Sequence, residues 1–379
     1  MNELRKIFRR CFRLGLLLAA GLPLAASAEL TVVQVAPFSG PLADTGRLVR
    51  QGLELALEQA NGEGGVHGQK LRLVSKDDAY KVDETVRLVR EAAADKPVAL
   101  VGLVGTGNLA ALQQQKVIDA LGVPLIGVRT GATDLRQPGH PLVFHLRASY
   151  AAEIDRLVEV ATTLGGRRFG VMYQADAFGE DGLKALRQAL AARGQTLAVE
   201  SSYEKNTVKV EGAVASLLRA SEVNAIVLVS NTKATAGFLK AYRDGGGLAP
   251  VYALSVNNDR EIVAQIGIRA AHGLGITQVV PFPTSGVLPL TRDYQARLKR
   301  LQPDAQPSVS SLEGYIYGRV LVEALRRAGG KSDPASLVKA LESAPFDLGG
   351  HRVQFAPGSH EGSQFVELTM IGKNGALIR

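Results

Sequence analysis

The sequence predicts an α/β chain of two doubly wound lobes with parallel-rich sheets, and three observations carry that expectation. Short apolar runs alternate with amphipathic helical segments from Thr31 to about residue 275. Several of those runs are apolar at successive positions, the pattern of parallel strands covered by helices on both faces. The chain has 379 residues and no low-complexity linker. That length suits two or three domains at roughly 150 residues each. Two lobes without a flexible joint imply several short crossovers.

The elements follow in order. Thr31–Pro37 is a Val-rich strand, and Leu48, Gly52, Leu55, Ala56 and Gln59 give helical spacing over Leu48–Ala60. Leu71–Ser75 alternates as a strand, and Val82–Ala93 is helical. Val98–Val104 is a buried strand, Leu109–Leu121 a helix and Val123–Val128 another strand. The pattern continues through Leu142–Leu146, Ala151–Leu164, Phe169–Tyr173, Leu183–Ala192, Ala225–Ser230, Ala234–Tyr242 and Val251–Val256. Helices are then expected over Leu290–Leu301, Glu313–Ala328 and Ala335–Ser343. Antiparallel strands with glycine turns should fill Arg352–Ile378. Crossings are expected near Ala148, Gln278 and Pro357-Gly358. Lobe one is then 29–147 with 279–357, and lobe two 148–278 with 358–379.

Composition removes several function classes. One cysteine excludes a disulfide framework and a Cys-rich zinc site. Trp is absent and aromatics are 5%, thin for stacking single-stranded nucleic acid. Half of the formal charge of +8 lies at the start, where Arg5, Lys6, Arg9, Arg10 and Arg13 face only Glu3. No dense basic block follows, so no nucleic-acid partner is expected.

The same N-terminus reads as a secretory signal peptide over residues 1–28. A basic region precedes the apolar run Leu14–Leu24, and Ala26-Ser27-Ala28 is a small-residue cleavage site. The apolar run falls short of the ~20 residues a membrane span needs. Cleavage after Ala28 removes Cys11, and a cysteine-free product suits the oxidising periplasm. The mature protein is expected to be a soluble monomer.

In open α/β sheets ligands bind beyond the carboxyl ends of strands, where loops open helices. Those loops contain Ser39, Thr106-Gly107-Asn108, Arg129-Thr130-Gly131 and Ser149-Tyr150. They continue with Asp176, Phe178, Asn231 and Asn257. Their hydroxyl and amide groups suit a small polar solute, although Ser, Thr, Asp and Asn also cap helices in any fold. Catalytic chemistry is poorly represented. The six histidines make no H-E-x-x-H or other close metal spacing, and neither a G-x-S-x-G elbow nor a phosphate loop is present. No metal or cofactor is expected. Asp77-Asp78 is adjacent on a strand, so the two carboxyls point to opposite faces and read as structural.

At Ala36-Pro37-Phe38-Ser39-Gly40-Pro41 and Ala60-Asn61-Gly62-Glu63-Gly64-Gly65-Val66-His67-Gly68 the sequence resembles the type I periplasmic binding proteins. Lys76-Asp77-Asp78, Gly122-Val123-Pro124-Leu125-Ile126 and the stretch from Tyr173 to Gly179 extend that likeness. Within them it is similar to the leucine/isoleucine/valine-binding family of ABC transport systems. The resemblance runs from about Glu29 to the end. It implies two lobes, three crossovers and closure around a small solute, an amino acid or related carboxylate. It also implies delivery to an ABC permease in the inner membrane. A ligand-sensing receptor of the same fold is the alternative, and a secreted enzyme is disfavoured. By the resemblance, Thr106 and Thr130 hold the solute's α-carboxylate and Phe178 supplies an aromatic wall. The family's acidic partner for an ammonium has no carboxylate at its place near Asn257, although Asp176 and Asp259 are close. Arg129 beside the cleft favours an extra acidic group on the ligand.

Overall fold

A computed structural model describes residues 29–379 apart from residue 332. The expected signal peptide lies outside the described residues.

The first sheet is all parallel, in the order β2-β1-β3-β4-β5. Its strands are β1 (Leu30–Ala36), β2 (Leu71–Asp77), β3 (Ala99–Val104), β4 (Leu125–Arg129) and β5 (Val143–Phe144). Every residue of β1, β3 and β4 is buried, because helices cover both faces. Those helices are α1 (Ala43–Gly62), α2 (Val82–Glu91), α3 (Thr106–Gln114) and α4 (Val117–Leu121). The stretch Leu109–Leu121, expected as one helix, is broken where Lys116 takes a left-handed φ of 51°.

The second sheet is built on α5 (Tyr150–Thr163), β6 (Arg168–Gln174), α6 (Ala177–Ala191), β7 (Thr196–Tyr203) and α7 (Glu211–Arg219). It continues through β8 (Ala225–Val229), α8 (Thr232–Asp244), β9 (Val251–Ala253), α9 (Asp259–Ala271) and β10 (Gly275–Gln278). The chain next forms α10 (Pro289–Leu301), α11 (Val309–Arg327) and α12 (Pro334–Ser343). A small antiparallel pair follows, β11 (Phe346–Asp347) with β12 (Arg352–Val353). The chain then returns to the second sheet as β13 (Glu367–Ile371) and β14 (Leu377–Ile378). That sheet runs β14-β13-β10-β9-β8-β6-β7, antiparallel only at its C-terminal edge.

Helix α11 carries much of the first lobe's core. Fifteen of its 19 residues are buried, among them Leu312, Ile316, Val320 and Leu321. It lies directly on α1, and two glycines allow that approach. A Cβ at Gly52 would stand 1.8 Å from the Ser311 carbonyl oxygen, and one at Gly314 would stand 2.1 Å from that of Val49. Among the described residues no helix is long and apolar enough to cross a membrane.

Candidate functional site

A small cavity of about 30 Å³ lies between the carboxyl ends of the two sheets. The first sheet contributes Leu42, Thr45, Tyr80, Val104, Gly105, Thr106 and Arg129 to its wall, and the second side contributes Tyr150, Phe178, Asn231 and Val256. A much larger groove of about 1090 Å³, lined by Leu164, Leu248, Tyr252 and Met370, lies at the opposite end of the second sheet. It touches none of the loops that follow parallel strands, so the chemistry belongs to the smaller cavity.

Thr106 opens α3 behind Gly105, a residue with a φ of 112° and no side chain to cap the helix. A Cβ at Gly105 would stand 2.8 Å from the Tyr80 ring and 2.7 Å from the Asn108 amide oxygen. The first N–H groups of any helix lack intrahelical partners and attract negative charge. Thr106 Oγ1 lies 2.7 Å from Thr130 Oγ1. Thr130 Oγ1 accepts from the Ala132 N–H at 3.2 Å. Either hydroxyl can be the donor in that pair.

Tyr80 reaches the cavity through a strained turn. Ala79 and Tyr80 both have left-handed φ, 49° and 62°, a conformation costing of order 1–3 kcal/mol per residue. The paired aspartates hold it. Asp77 Oδ1 accepts from the N–H groups of Phe38 at 2.7 Å and Ala79 at 2.9 Å. Asp78 accepts from the Tyr80 N–H at 2.9 Å and the Thr85 hydroxyl at 2.6 Å. Burial raises the Asp78 carboxyl and pushes the Tyr80 phenol well above its ordinary value, the Asp176 charge adding to the latter. Over the Tyr80 ring stands the Lys205 ammonium, 4.3 Å from the centroid. The Tyr150 and Phe178 rings face each other at 5.1 Å and 57°.

Behind the cavity a buried ionic network joins the two sides. Arg129 is 3% exposed and pairs with the Glu313 carboxylate, while its Nη2 donates to the Ser255 carbonyl at 3.2 Å. Arg147 lies 3.1 Å from Glu153, 3.5 Å from Glu313 and donates to the Ser255 hydroxyl. Glu153 also accepts from the Ser255 N–H at 2.9 Å and the Thr277 hydroxyl at 2.6 Å. Burial pushes the Glu313 carboxyl up, but Arg147 and Arg129 more than offset this and leave it below the carboxylate range. Burial acts against Arg147 too, yet Glu313 and Glu153 raise it above the ordinary guanidinium range.

The sequence expectations divide accordingly. Thr106, Arg129, Tyr150, Phe178 and Asn231 line the cavity. Thr130 stands one step behind Thr106. Ser39 is exposed and gives its N–H to Asp77 at 3.2 Å. Asn108 is buried against Thr85, to which its amide donates at 2.6 Å. A Cβ at Gly131 would stand 2.5 Å from the Tyr150 nitrogen, so that glycine serves a close backbone pass. Gly107 lies outside the wall, its Cβ position 3.6 Å from Val82. Ser149 and Asp176 cap α5 and α6, and Asn231 caps α8 while also lining the cavity. The Asn257 amide is turned inward, donating to the carbonyls of Ser230 at 3.1 Å and Leu254 at 3.0 Å. The expectation that Arg129 calls for an extra acidic group on the ligand is corrected, because Glu313 already balances its charge. Asp259 belongs to a separate cavity with Phe282 and Pro307. Leu42, Thr45, Tyr80, Val104 and Val256 were not among the expected site residues, although Val104 closes β3 and Val256 ends the run Val251–Val256. Among the described residues no group of three or more His, Cys, Asp or Glu comes together to hold a metal ion.

Two parallel-rich sheets turning their loop rims toward one largely apolar cavity define the class of two-lobed solute-binding proteins. The sequence pattern of the family described as periplasmic binding protein matches residues 29–376, and the chain belongs to that family. It is similar to Leu/Ile/Val-binding protein homolog 7 of Brucella suis biovar 1 (strain 1330), 26% identical over 94% of this chain and 91% of the relative. A substrate-binding periplasmic protein from Ralstonia solanacearum matches with a TM-score of 0.88 and 36% identity, over 92% of this chain and 99% of that one. A possible leucine/isoleucine/valine-binding protein from Rhodopirellula baltica SH 1 matches with a TM-score of 0.89 and 27% identity, over 95% and 98%. These are substrate-binding proteins and not enzymes.

Proposed function

We propose that the protein is the solute-binding component of an ABC uptake system, holding a small carboxylate-bearing solute between its lobes and delivering it to an inner-membrane permease. Export with cleavage after Ala28 and action as a periplasmic monomer belong to the same reading. The observation that carries it is the Thr106–Thr130 hydroxyl pair at the start of α3, whose cap residue contributes no side chain, inside a cavity walled from both sheets. A carboxylate there would gain charge-assisted hydrogen bonds of about 1.5–3 kcal/mol each.

Two crossings are assigned near Ala148 and Gln278, supported by β5 closing the first sheet and β10 lying in the second. The third is drawn at about 363–366, a few residues later than Pro357-Gly358. Its support is that Gly362 still donates its N–H to the His145 carbonyl at 2.7 Å. A thermal-shift screen of small carboxylates tests the reading. A ligand at 100 times its dissociation constant should stabilise the protein by about 2.7 kcal/mol. A screen without any shift would refute it.

A further inference from the structure

We infer, building on the carboxylate-binding reading above, that the solute is an apolar or aromatic monocarboxylic acid without an α-ammonium group, bound in preference to the amino acid of the same skeleton. The argument begins with what an ammonium needs. Buried, it requires a carboxylate partner or it carries its full desolvation cost. No aspartate or glutamate lines the cavity.

The nearest carboxylates are already engaged. Asp176 accepts from the N–H groups of Phe178 at 3.1 Å and Gly179 at 3.3 Å, and from the Gln174 amide at 2.8 Å. Glu153 and Glu313 are held by the arginines behind the wall. Lys205 Nζ lies over the Tyr80 ring and 3.6 Å from Asp176, so one lysine occupies both the π face and the nearest free-facing acid.

What faces the cavity favours the opposite charge. Arg129 lines it, its charge balanced by Glu313 and its buried Nε without a partner among the described residues. Thr106 adds a hydroxyl at the start of α3. The rest of the wall is apolar or aromatic, with Leu42, Val104, Phe178 and Val256 around the tyrosines. One end therefore suits an anion and the body suits a hydrocarbon or ring. An amino acid would bring an ammonium into a wall that offers it no carboxylate.

The test is calorimetry on matched pairs, 4-methyl-2-oxopentanoate against L-leucine and 3-phenylpropanoate against L-phenylalanine. In at least one pair the acid lacking the amine should bind about tenfold or more tightly, a difference of 1.4 kcal/mol. Lys205→Met should then strengthen the amino acid of that pair at least about threefold, by releasing Asp176 and the Tyr80 face. An amino acid that binds as well as its partner acid overturns the inference while leaving the carboxylate-binding reading intact. An amino-acid affinity unchanged by Lys205→Met contradicts the stated cause of the exclusion. If no compound of either pair binds while the wider screen finds another carboxylate, this inference falls and the carboxylate-binding reading stands.

Discussion

The helices on the two rims of the cleft begin differently. On the first sheet's side α1, α2 and α3 start at Leu42, Lys81 and Gly105, none of which caps its helix through a side chain. On the second side α5, α6, α8 and α9 start at Ser149, Asp176, Asn231 and Asn258, and each side chain accepts from N–H groups of its own helix. Outside the cavity wall the contrast has exceptions: α7 on the second side is uncapped, and α11 and α12 on the first are capped by Ser308 and Asp333. A cap that accepts an N–H removes that donor from a ligand. The second rim is therefore internally satisfied and offers mainly rings, while the first keeps donors for an anion. The anionic end of a solute would thus fall to the first lobe, with its apolar body against Leu42 and Val104 as well as the rings of Tyr150 and Phe178.

The largest expected effect lies where the rims are tied together. Glu313→Gln leaves Arg129 and Arg147 facing one another with a partner lost, and breaking a buried ion pair costs about 3–5 kcal/mol. Thermal unfolding should show this as a melting temperature lowered by roughly 5 °C or more. A variant melting like the parent would mean that the network does not hold the lobes.

Acid should act on the first rim's side of the molecule through His351. Its ring is buried, and burial lowers its pKa to about 4 from 6.5. The folded value lies below the unfolded one, so the neutral ring contributes stability that is complete above about pH 6.5. That stability is lost as pH falls toward 4, by about 3 kcal/mol at 1.36 kcal/mol per unit. Melting curves at pH 7 and pH 4.5 check it, with His351→Gln expected to show a shallower loss. Equal slopes for the two proteins would remove His351 from the account.

The smallest effect sharpens the contrast of caps. Ser149→Ala should lower stability by about 1 kcal/mol, the worth of an N-cap, and leave solute affinity within about twofold. Denaturant titration and calorimetry together read both numbers. A large affinity loss with unchanged stability would make Ser149 a ligand contact.

The same contrast explains what was legible in the sequence. Strands β1, β3, β4 and β8 are buried throughout and read as apolar runs. Strand β7 escaped because it is an edge strand, exposed at Thr196, Glu200 and Ser202, so it carries no apolar run. Helix α9 escaped because Gly267, at φ 78°, interrupts it and only Ile262 and Ala271 are buried. In the cleft, position after a strand was enough to find Thr106, Tyr150 and Phe178. It also drew in Ser149, Asp176 and Asn257, since a cap or turn residue and a ligand contact look alike in sequence. Tyr80 was hidden because its side chain reaches the cavity only through the left-handed turn at Ala79 and Tyr80. Arg129 looked available because its partner Glu313 lies 184 residues away.

The division between the rims rests most directly on Thr106. Thr106→Ala is to be titrated by calorimetry with the tightest carboxylate from the screen, beside melting curves of the unliganded protein. Affinity should fall about tenfold or more, equivalent to 1.4 kcal/mol, with the unliganded melting temperature within a degree or two of the parent. Normal affinity together with a melting temperature several degrees lower would make Thr106 a structural residue and contradict the placement of the anion on the first lobe.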